Sequence, residues 1–120
     1  MKSWTRDDLS VLADAQDLTL SVAHDGETPT GEVELGFVLV GGDLYIRAFR
    51  GTRSVWFRKA RQTGEGYIEV GGQRLAVRIE PADPALSDTI DAAYRSRFGM
   101  AAGLVLNSAA RAATLGLAPR

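Results

Sequence analysis

The sequence predicts an α+β fold, a small antiparallel β-barrel of about six strands with two or three helices at its ends. Apolar residues alternate with polar ones in several short runs, which is the period of a half-buried strand. Two Gly-Gly pairs separate such runs and tolerate the positive φ angles of tight hairpin turns. One apolar stripe recurs every four residues between positions 86 and 98, which predicts a helix. Because the open edges of a small sheet invite aggregation, we expect the strands to close.

The N-terminal half has the pattern of one helix followed by three strands. Thr5 and Asp8 have the spacing of a capping box, so the helix begins there. Gly41-Gly42 joins the second and third strands as a hairpin. The segment 24–31 between the first two strands is rich in turn residues and is expected to be a loop. The expected ranges are 5–16 for the helix and 18–22, 33–39 and 44–49 for the strands.

The C-terminal half alternates between helices and strands. Ser54 is expected to cap a short helix, and Pro84 suits the first position of the helix that carries the apolar stripe. Asp91 and Arg95 are expected to pair on the outer face of that helix. Residues 101–113 are rich in alanine, and their structure is left open. The expected ranges are 54–61 and 83–98 for the helices and 67–70, 75–79 and 114–118 for the strands.

The composition excludes several kinds of site. The chain has 120 residues, no cysteine and one histidine, His24. It therefore has no disulfide, thiolate nucleophile or cysteine-type zinc site, and one histidine is too few for a two-histidine metal site in one chain. There is no apolar run of about 20 residues and no apolar stretch after the N-terminus, so we expect neither a membrane span nor a signal peptide. We expect one soluble, cytoplasmic domain over 1–120.

The formal net charge of −1 hides a strong asymmetry. Residues 1–43 carry nine acidic and two basic residues, whereas residues 45–61, the cationic segment, carry six basic residues and no acidic one. The segment runs from a strand through Gly51, which lets a ligand approach the backbone closely, into a helix start. Arginine offers planar donors for phosphate or carboxylate, helix N-termini attract anions, and Trp56 offers a face to a flat ring. The pattern favours an anionic, ring-bearing ligand.

Two other interpretations of the cationic segment stay open. In the first it is a solvated basic face that pairs with the acidic N-terminal half, and its aromatic residues belong to the core. In the second it binds single-stranded nucleic acid, because interleaved arginines and aromatics are typical of such proteins. A net charge of −1 and a pI of about 5.8 argue against the second, since nucleic-acid-binding domains are usually basic overall.

No group of residues has the pattern of an acid/base catalyst. The sequence has no Gly-x-Ser-x-Gly motif to supply a nucleophilic serine for His24. We therefore expect His24 to be an ordinary surface residue. Two neighbouring carboxylate pairs are expected to be ordinary solvated side chains. These pairs are Glu32 with Glu34 and Asp88 with Asp91.

Four stretches together resemble a bacterial family, labelled as a domain of unknown function, and they cover nearly the whole chain. The stretches are Gly42–Arg47, Arg50-Gly51 with Trp56-Phe57-Arg58, Ile90–Arg95 and Ala113–Arg120. That family is similar to the split-barrel proteins that bind flavin mononucleotide (FMN) or a deazaflavin coenzyme. The resemblance implies a split β-barrel and a homodimer, with a coenzyme site commonly at the dimer interface, where Tyr94 or Arg95 of the second subunit contributes.

The resemblance also implies which residues bind the coenzyme. In the deazaflavin-dependent reductases a strand ending in a glycine turn leads to a tryptophan-containing helix start beside the coenzyme phosphate. Here Gly51, Ser54 and Trp56 occupy the matching places. The implied cofactor-binding residues are Arg47, Arg50, Gly51, Arg53, Ser54, Trp56 and Arg58, of which Arg47, Arg50 and Arg53 face the phosphate.

The sequence departs from those reductases at two places. The loop 24–31 is acidic where the reductases carry a basic Gly-Arg-Lys-Ser-Gly-like loop, and Arg58-Lys59 replaces the usual Asn-Leu. Two functions therefore remain. One is hydride transfer by a bound FMN or deazaflavin, with no essential acid or base from the protein. The other is a non-enzymatic domain that has lost the cofactor and binds a small anion or a protein partner.

Overall fold

The alternating runs form six strands, and the chain outside them includes four helices, in the computed structural model, which describes residues 3–22 and 32–120. The strands are β1 Asp17–Val22, β2 Glu32–Val40, β3 Asp43–Arg47, β4 Glu65–Val70, β5 Gln73–Pro81 and β6 Thr114–Pro119. The helices are α1 Arg6–Asp14, α2 Val55–Thr63, α3 Ser87–Phe98 and α4 Ser108–Ala112. Three 3-10 segments precede α2, α3 and α4, at Gly51–Arg53, Pro84–Leu86 and Gly99–Val105.

The six strands close into an antiparallel barrel in the order β1-β2-β3-β6-β5-β4, with β4 paired back to β1. The predicted α+β barrel is therefore confirmed. Both predicted glycine hairpins are present, and at the first of them Gly41 and Gly42 adopt φ angles of 59° and 86°, which side-chain-bearing residues rarely adopt. The loop predicted over 24–31, including His24, lies outside the described residues.

Apolar side chains fill two separate clusters. Inward-facing residues such as Phe37, Ile46 and Leu115 fill the barrel, and α1 and α2 add Leu12 and Phe57 to the same cluster. The capping box predicted for α1 is present, which confirms where that helix begins. The second cluster lies on the outside of β2 and β3, beneath α3.

The position of α3 corrects the prediction that the helices sit at the ends of the barrel. Val38 and Tyr45 are paired across β2 and β3, and both are buried although they point away from the barrel interior. The predicted stripe of α3 covers them with Ile90 and Tyr94. A strand that is apolar on both faces is usually packed against other elements on both faces. Strand β2 has that pattern from Phe37 to Val40.

The alanine-rich stretch that the sequence left open divides between two short elements, the 3-10 segment Gly99–Val105 and helix α4. Alanine gives neither a period-two nor a period-four apolar pattern, so neither element was separable beforehand. The predicted strand 44–49 ends earlier, at Arg47, and Phe49 is left 54% exposed. None of the helices in the described part of the chain has the length and apolarity that crossing a membrane requires.

Candidate functional site

A pocket of about 530 Å³ lies where β1 and β2 meet the connection from β3 to α2. Its wall is apolar on the barrel side, with Leu20, Val22 and Val33, and cationic on the side of the connection. The complete lining is Leu20, Val22, Glu32, Val33, Phe49, Arg50, Arg53, Ser54, Val55, Trp56 and Lys59. We call it the cationic pocket.

Four of the seven predicted site residues line the cationic pocket. They are Arg50, Arg53, Ser54 and Trp56. Lys59 joins them, a residue that sequence reasoning missed although it lies three positions after Trp56 and so on the same face of α2. Arg58 is exposed but belongs to another face of the helix and does not line the pocket.

The charges at the pocket are not compensated within the described residues. In residues 3–22 and 32–120, no carboxylate lies within ion-pair distance of Arg50, Arg53 or Lys59. The positive end of the α2 dipole adds to this charge, because the first turn of α2 has no acidic residue. Helix α1 has the opposite arrangement, with Asp7 and Asp8 in its first turn. The N-terminus of α2 therefore favours an anion.

Ser54 has the N-cap position predicted for it but does not cap the helix with its side chain. Its carbonyl accepts a hydrogen bond from the Arg58 amide at 3.1 Å, while its hydroxyl makes no capping bond. The hydroxyl is half-buried at the pocket and remains available to a ligand.

Gly51 is required for packing rather than for ligand approach. It has a φ of 75° and is buried, and a Cβ added to it would lie 2.8 Å from Ala109 Cβ and 3.2 Å from the Ala109 carbonyl oxygen. The close backbone approach expected at Gly51 is therefore to α4, and Gly51 does not line the pocket.

Arg47 lies apart from the pocket. It follows Tyr45 by two positions in β3, so both side chains point out of the barrel toward α3. Its Nε donates to Thr114 Oγ1 at 2.9 Å, and its two Nη atoms donate to the carbonyls of Val105 at 2.9 Å and Ser87 at 3.1 Å. Arg47 is 2% exposed, so its N–H groups donate to partners within the protein and not to a ligand. This placement does not agree with the prediction that Arg47 faces a phosphate together with the other two arginines.

Asp91 neutralises Arg47. One Asp91 oxygen accepts a hydrogen bond from Arg47 Nη1, and the other lies 3.5 Å from Arg111 Nε. Asp91 is 6% exposed, whereas Arg95 is exposed, so the predicted pair of Asp91 with Arg95 on the outer face is wrong. Asp91 follows Ile90 on the side of α3 that faces the barrel, and the spacing of four residues did not reveal that orientation.

Tyr94 completes this buried group and is not available to a second subunit. It is 2% exposed, and the Arg47 guanidinium lies 5.5 Å from the centre of its ring. Burial raises the pKa of Tyr94 well above its usual value, and the neighbouring Arg47 opposes that shift only in part. Of the two residues proposed to reach a partner's site, only Arg95 has an exposed side chain.

A second pocket of about 430 Å³ lies between α2, α3 and α4 and also contains two arginines, Arg61 and Arg111. Arg111 donates to Asp88 at 2.6 Å and lies beside Asp91, so its charge is largely compensated. The cationic pocket is the better candidate for an anion, because among the described residues no carboxylate lies within ion-pair distance of Arg50, Arg53 or Lys59.

The predicted carboxylate pairs do not form an acid/base couple. Glu32 lines the cationic pocket, while Glu34 shares a hydrogen bond with Asp17, which raises the pKa of Glu34. Asp88 binds Arg111 at the surface with a 93% exposed side chain, and Asp91 is the buried partner of Arg47.

Several solved structures have a similar fold, among them the following three. A FAD- and haem-binding protein from Mycobacterium smegmatis is 24% identical with a TM-score of 0.57, over 98% of this chain and 66% of that one. A NimC/NimA family protein from Clostridium acetobutylicum is 16% identical with a TM-score of 0.64, over 93% and 78%. A FAD-binding protein from Mesorhizobium loti is 17% identical with a TM-score of 0.62, over 98% and 88%.

At these identities the likeness shows the fold alone, and it agrees with the predicted α+β barrel. The chain spans slightly less than two thirds of the M. smegmatis protein. A search of curated proteins finds no match. A family model matches residues 8–117. The chain therefore belongs to the family described as an uncharacterized protein conserved in bacteria, DUF2255.

Proposed function

We propose that this protein binds a flavin or deazaflavin nucleotide in the cationic pocket. The observation that carries the proposal is the combination, in one cavity, of an apolar wall with cations that no carboxylate of residues 3–22 and 32–120 pairs with. Ligand pockets of roughly 300–1,000 Å³ are typical for molecules of this size, and a volume of about 530 Å³ falls in that range. Three solved structures of the same fold include two that bind FAD, which supports the same class of ligand.

The residues present suit each part of such a nucleotide. Val33 and Trp56 line the pocket and are half-buried, so they offer an apolar surface to a fused ring system. Arg53 and Lys59 supply charge for a phosphate, together with the helix N-terminus. The group that would bind here supplies hydride transfer, and the protein's own residues bind it, orient it and exclude water from one face.

Glu32 is the residue that fits least, because its carboxylate lines the same pocket as the cations. It favours the second candidate function, a barrel that has lost the cofactor and binds a small anion or a protein partner. In either case we propose a homodimer, to which the exposed Arg95 contributes, and its mass in solution is measured by light scattering.

The test is a titration of the purified protein with FMN, FAD and a deazaflavin, followed through tryptophan fluorescence and visible absorbance. We expect quenching that depends on Trp56, since the other tryptophan, Trp4, is buried and donates its indole N–H to the Leu117 carbonyl at 3.0 Å. Replacing Trp56→Phe should therefore remove most of the fluorescence change without removing binding.

Arg53→Ala tests the charge. A hydrogen bond to a charged group contributes about 1.5–3 kcal/mol, so the dissociation constant should rise about 10- to 100-fold. Arg78→Ala is the matched control, because Arg78 is an exposed arginine on β5 outside the pocket. If no coenzyme binds, or if the two variants weaken binding equally, the proposal is wrong, and in the first case the anion- or protein-binding alternative stands.

A further inference from the structure

Exposure increases across the cationic pocket from one side to the other. The apolar Val33 on the barrel side is half-buried, while Arg50, Arg53 and Lys59 on the other side are exposed. An apolar ring is therefore favoured on the barrel side, and phosphates are favoured at the charged rim. Whatever follows the phosphates in a longer ligand lies beyond that rim, at the mouth of the pocket.

An aromatic ring occupies the mouth. Phe49 lines the pocket and is 54% exposed, and it is the single aromatic among the large apolar residues exposed in residues 3–22 and 32–120. The guanidinium carbon of its neighbour Arg50 lies 5.5 Å from the centre of the Phe49 ring. A bare phenyl ring beside a guanidinium is the surface on which nucleobases stack in many nucleotide-binding proteins.

The backbone that carries Phe49 is fixed on both sides. Ala48 is buried, and its amide donates to the Ala113 carbonyl at 3.1 Å. Gly51 is buried against α4, and its amide donates to the Ala48 carbonyl at 2.9 Å. The ring is thus displayed from a rigid turn, so little conformational entropy is lost when a base stacks on it.

We infer that Phe49 and Arg50 form a stacking site for the adenine of a dinucleotide, so that the protein selects FAD over FMN. The inference rests on the proposed function, because it takes the flavin to lie in the cationic pocket. Arg50 then has two roles, since its guanidinium bonds to the phosphate that FAD and FMN share while its flat face remains beside the Phe49 ring. FMN lacks the second phosphate and the adenosine, so it cannot make the contact at Phe49.

The experiment compares the dissociation constants of FAD and FMN for the wild-type protein and three variants. Stacking of one base contributes about tenfold or more in affinity, so wild type should prefer FAD by about that factor. Phe49→Ala should remove the preference and leave the FMN constant within about twofold of wild type. Phe49→Leu keeps an apolar side chain but no ring and should behave like Phe49→Ala. Leu104→Ala, which removes a 68% exposed apolar residue outside the pocket, should keep the preference.

Each result decides between the inference and its alternatives. Equal binding of FAD and FMN by wild type overturns the stacking site but leaves the flavin pocket standing. A loss of both ligands on Phe49→Ala also overturns it, as does a change of oligomeric state with an unchanged FAD preference. Failure of wild type to bind any of FAD, FMN and the deazaflavin rejects the proposed function itself. Because Phe49 is outside the core, its variants should unfold at the same urea concentration as wild type, which is the control for folding.

Discussion

Arg47 and Arg53 stand six positions apart in one run of basic residues, yet their surroundings are opposite. Arg47 is buried, paired with Asp91 and bonded to two backbone carbonyls, whereas Arg53 is exposed and has no carboxylate partner among the described residues. A buried charge without its partner is costly, while an exposed charge is solvated at little cost. The comparison shows that the cationic segment is not one functional unit. Its strand end stabilises the fold, and its helix end is the candidate for ligand binding.

The sharpest test of this division is Asp91→Ala, which leaves Arg47 buried without a counterion. We expect a loss of about 3–5 kcal/mol in the free energy of unfolding, measured by urea denaturation. Asp88→Ala on the same helix is the control, because Asp88 is 93% exposed and its pair with Arg111 should contribute less than about 1 kcal/mol. Equal losses for the two variants would show that Arg47 is not held by a buried pair.

Gly51→Ala tests whether the turn between the two arginines serves packing. The new Cβ would lie 2.8 Å from Ala109 Cβ, and the φ of 75° is strained for alanine, so we expect a loss of about 2 kcal/mol or more in unfolding free energy. Gly72→Ala has a similar φ of 78° with no atom within 4 Å, so it should cost about 1 kcal/mol from backbone strain alone. If the Gly51→Ala protein is as stable as Gly72→Ala, helix α4 can shift away from the new Cβ at little cost in free energy.

Changing the ionic strength tests the two ends of the cationic segment without any mutation, because the exposed and the buried charges should respond differently. The Debye length falls from about 10 Å at 0.1 M salt to about 3 Å at 1 M. Interactions between exposed charges are therefore strongly screened, whereas those between buried charges are not. We expect the flavin dissociation constant to rise several-fold over that range. The stability difference between wild type and Asp91→Ala should stay constant within error. If flavin binding does not depend on the salt concentration, Arg53 does not bind the phosphate through its charge.

The elements that the sequence predicted well are those with a strong period. Alternation located all six strands, and the period of four located α3, because both patterns follow directly from which face is buried. Sequence reasoning grouped Arg50, Arg53, Ser54 and Trp56 because they are close in sequence, and all four line the cationic pocket. It could not find the apolar wall at Val33, because that wall depends on which strands become neighbours when the barrel closes.

Arg47 was misplaced for a related reason. Its position in an alternating strand showed that it faces away from Ile46, but not that α3 covers that face. The clue was Tyr45 beside Val38, apolar residues on the side that a solvated sheet would leave polar. Asp91 carried no clue in its spacing, since a carboxylate four residues before an arginine is the ordinary sign of a surface pair.

Ser54→Ala gives the smallest expected effect on stability and the finest test of the helix end. Thr5 caps α1 with a side-chain bond to the Asp8 amide at 3.0 Å, so Thr5→Ala should cost about 1 kcal/mol in unfolding free energy. The Ser54 hydroxyl makes no such bond, so Ser54→Ala should cost a few tenths of that at most. The same variant should weaken flavin binding about 2- to 10-fold, the value of one neutral hydrogen bond to the ligand. A large loss of stability with unchanged affinity would instead show that Ser54 is an ordinary helix cap. Ser54 would then stabilise the fold, as Arg47 does, and would not bind the ligand.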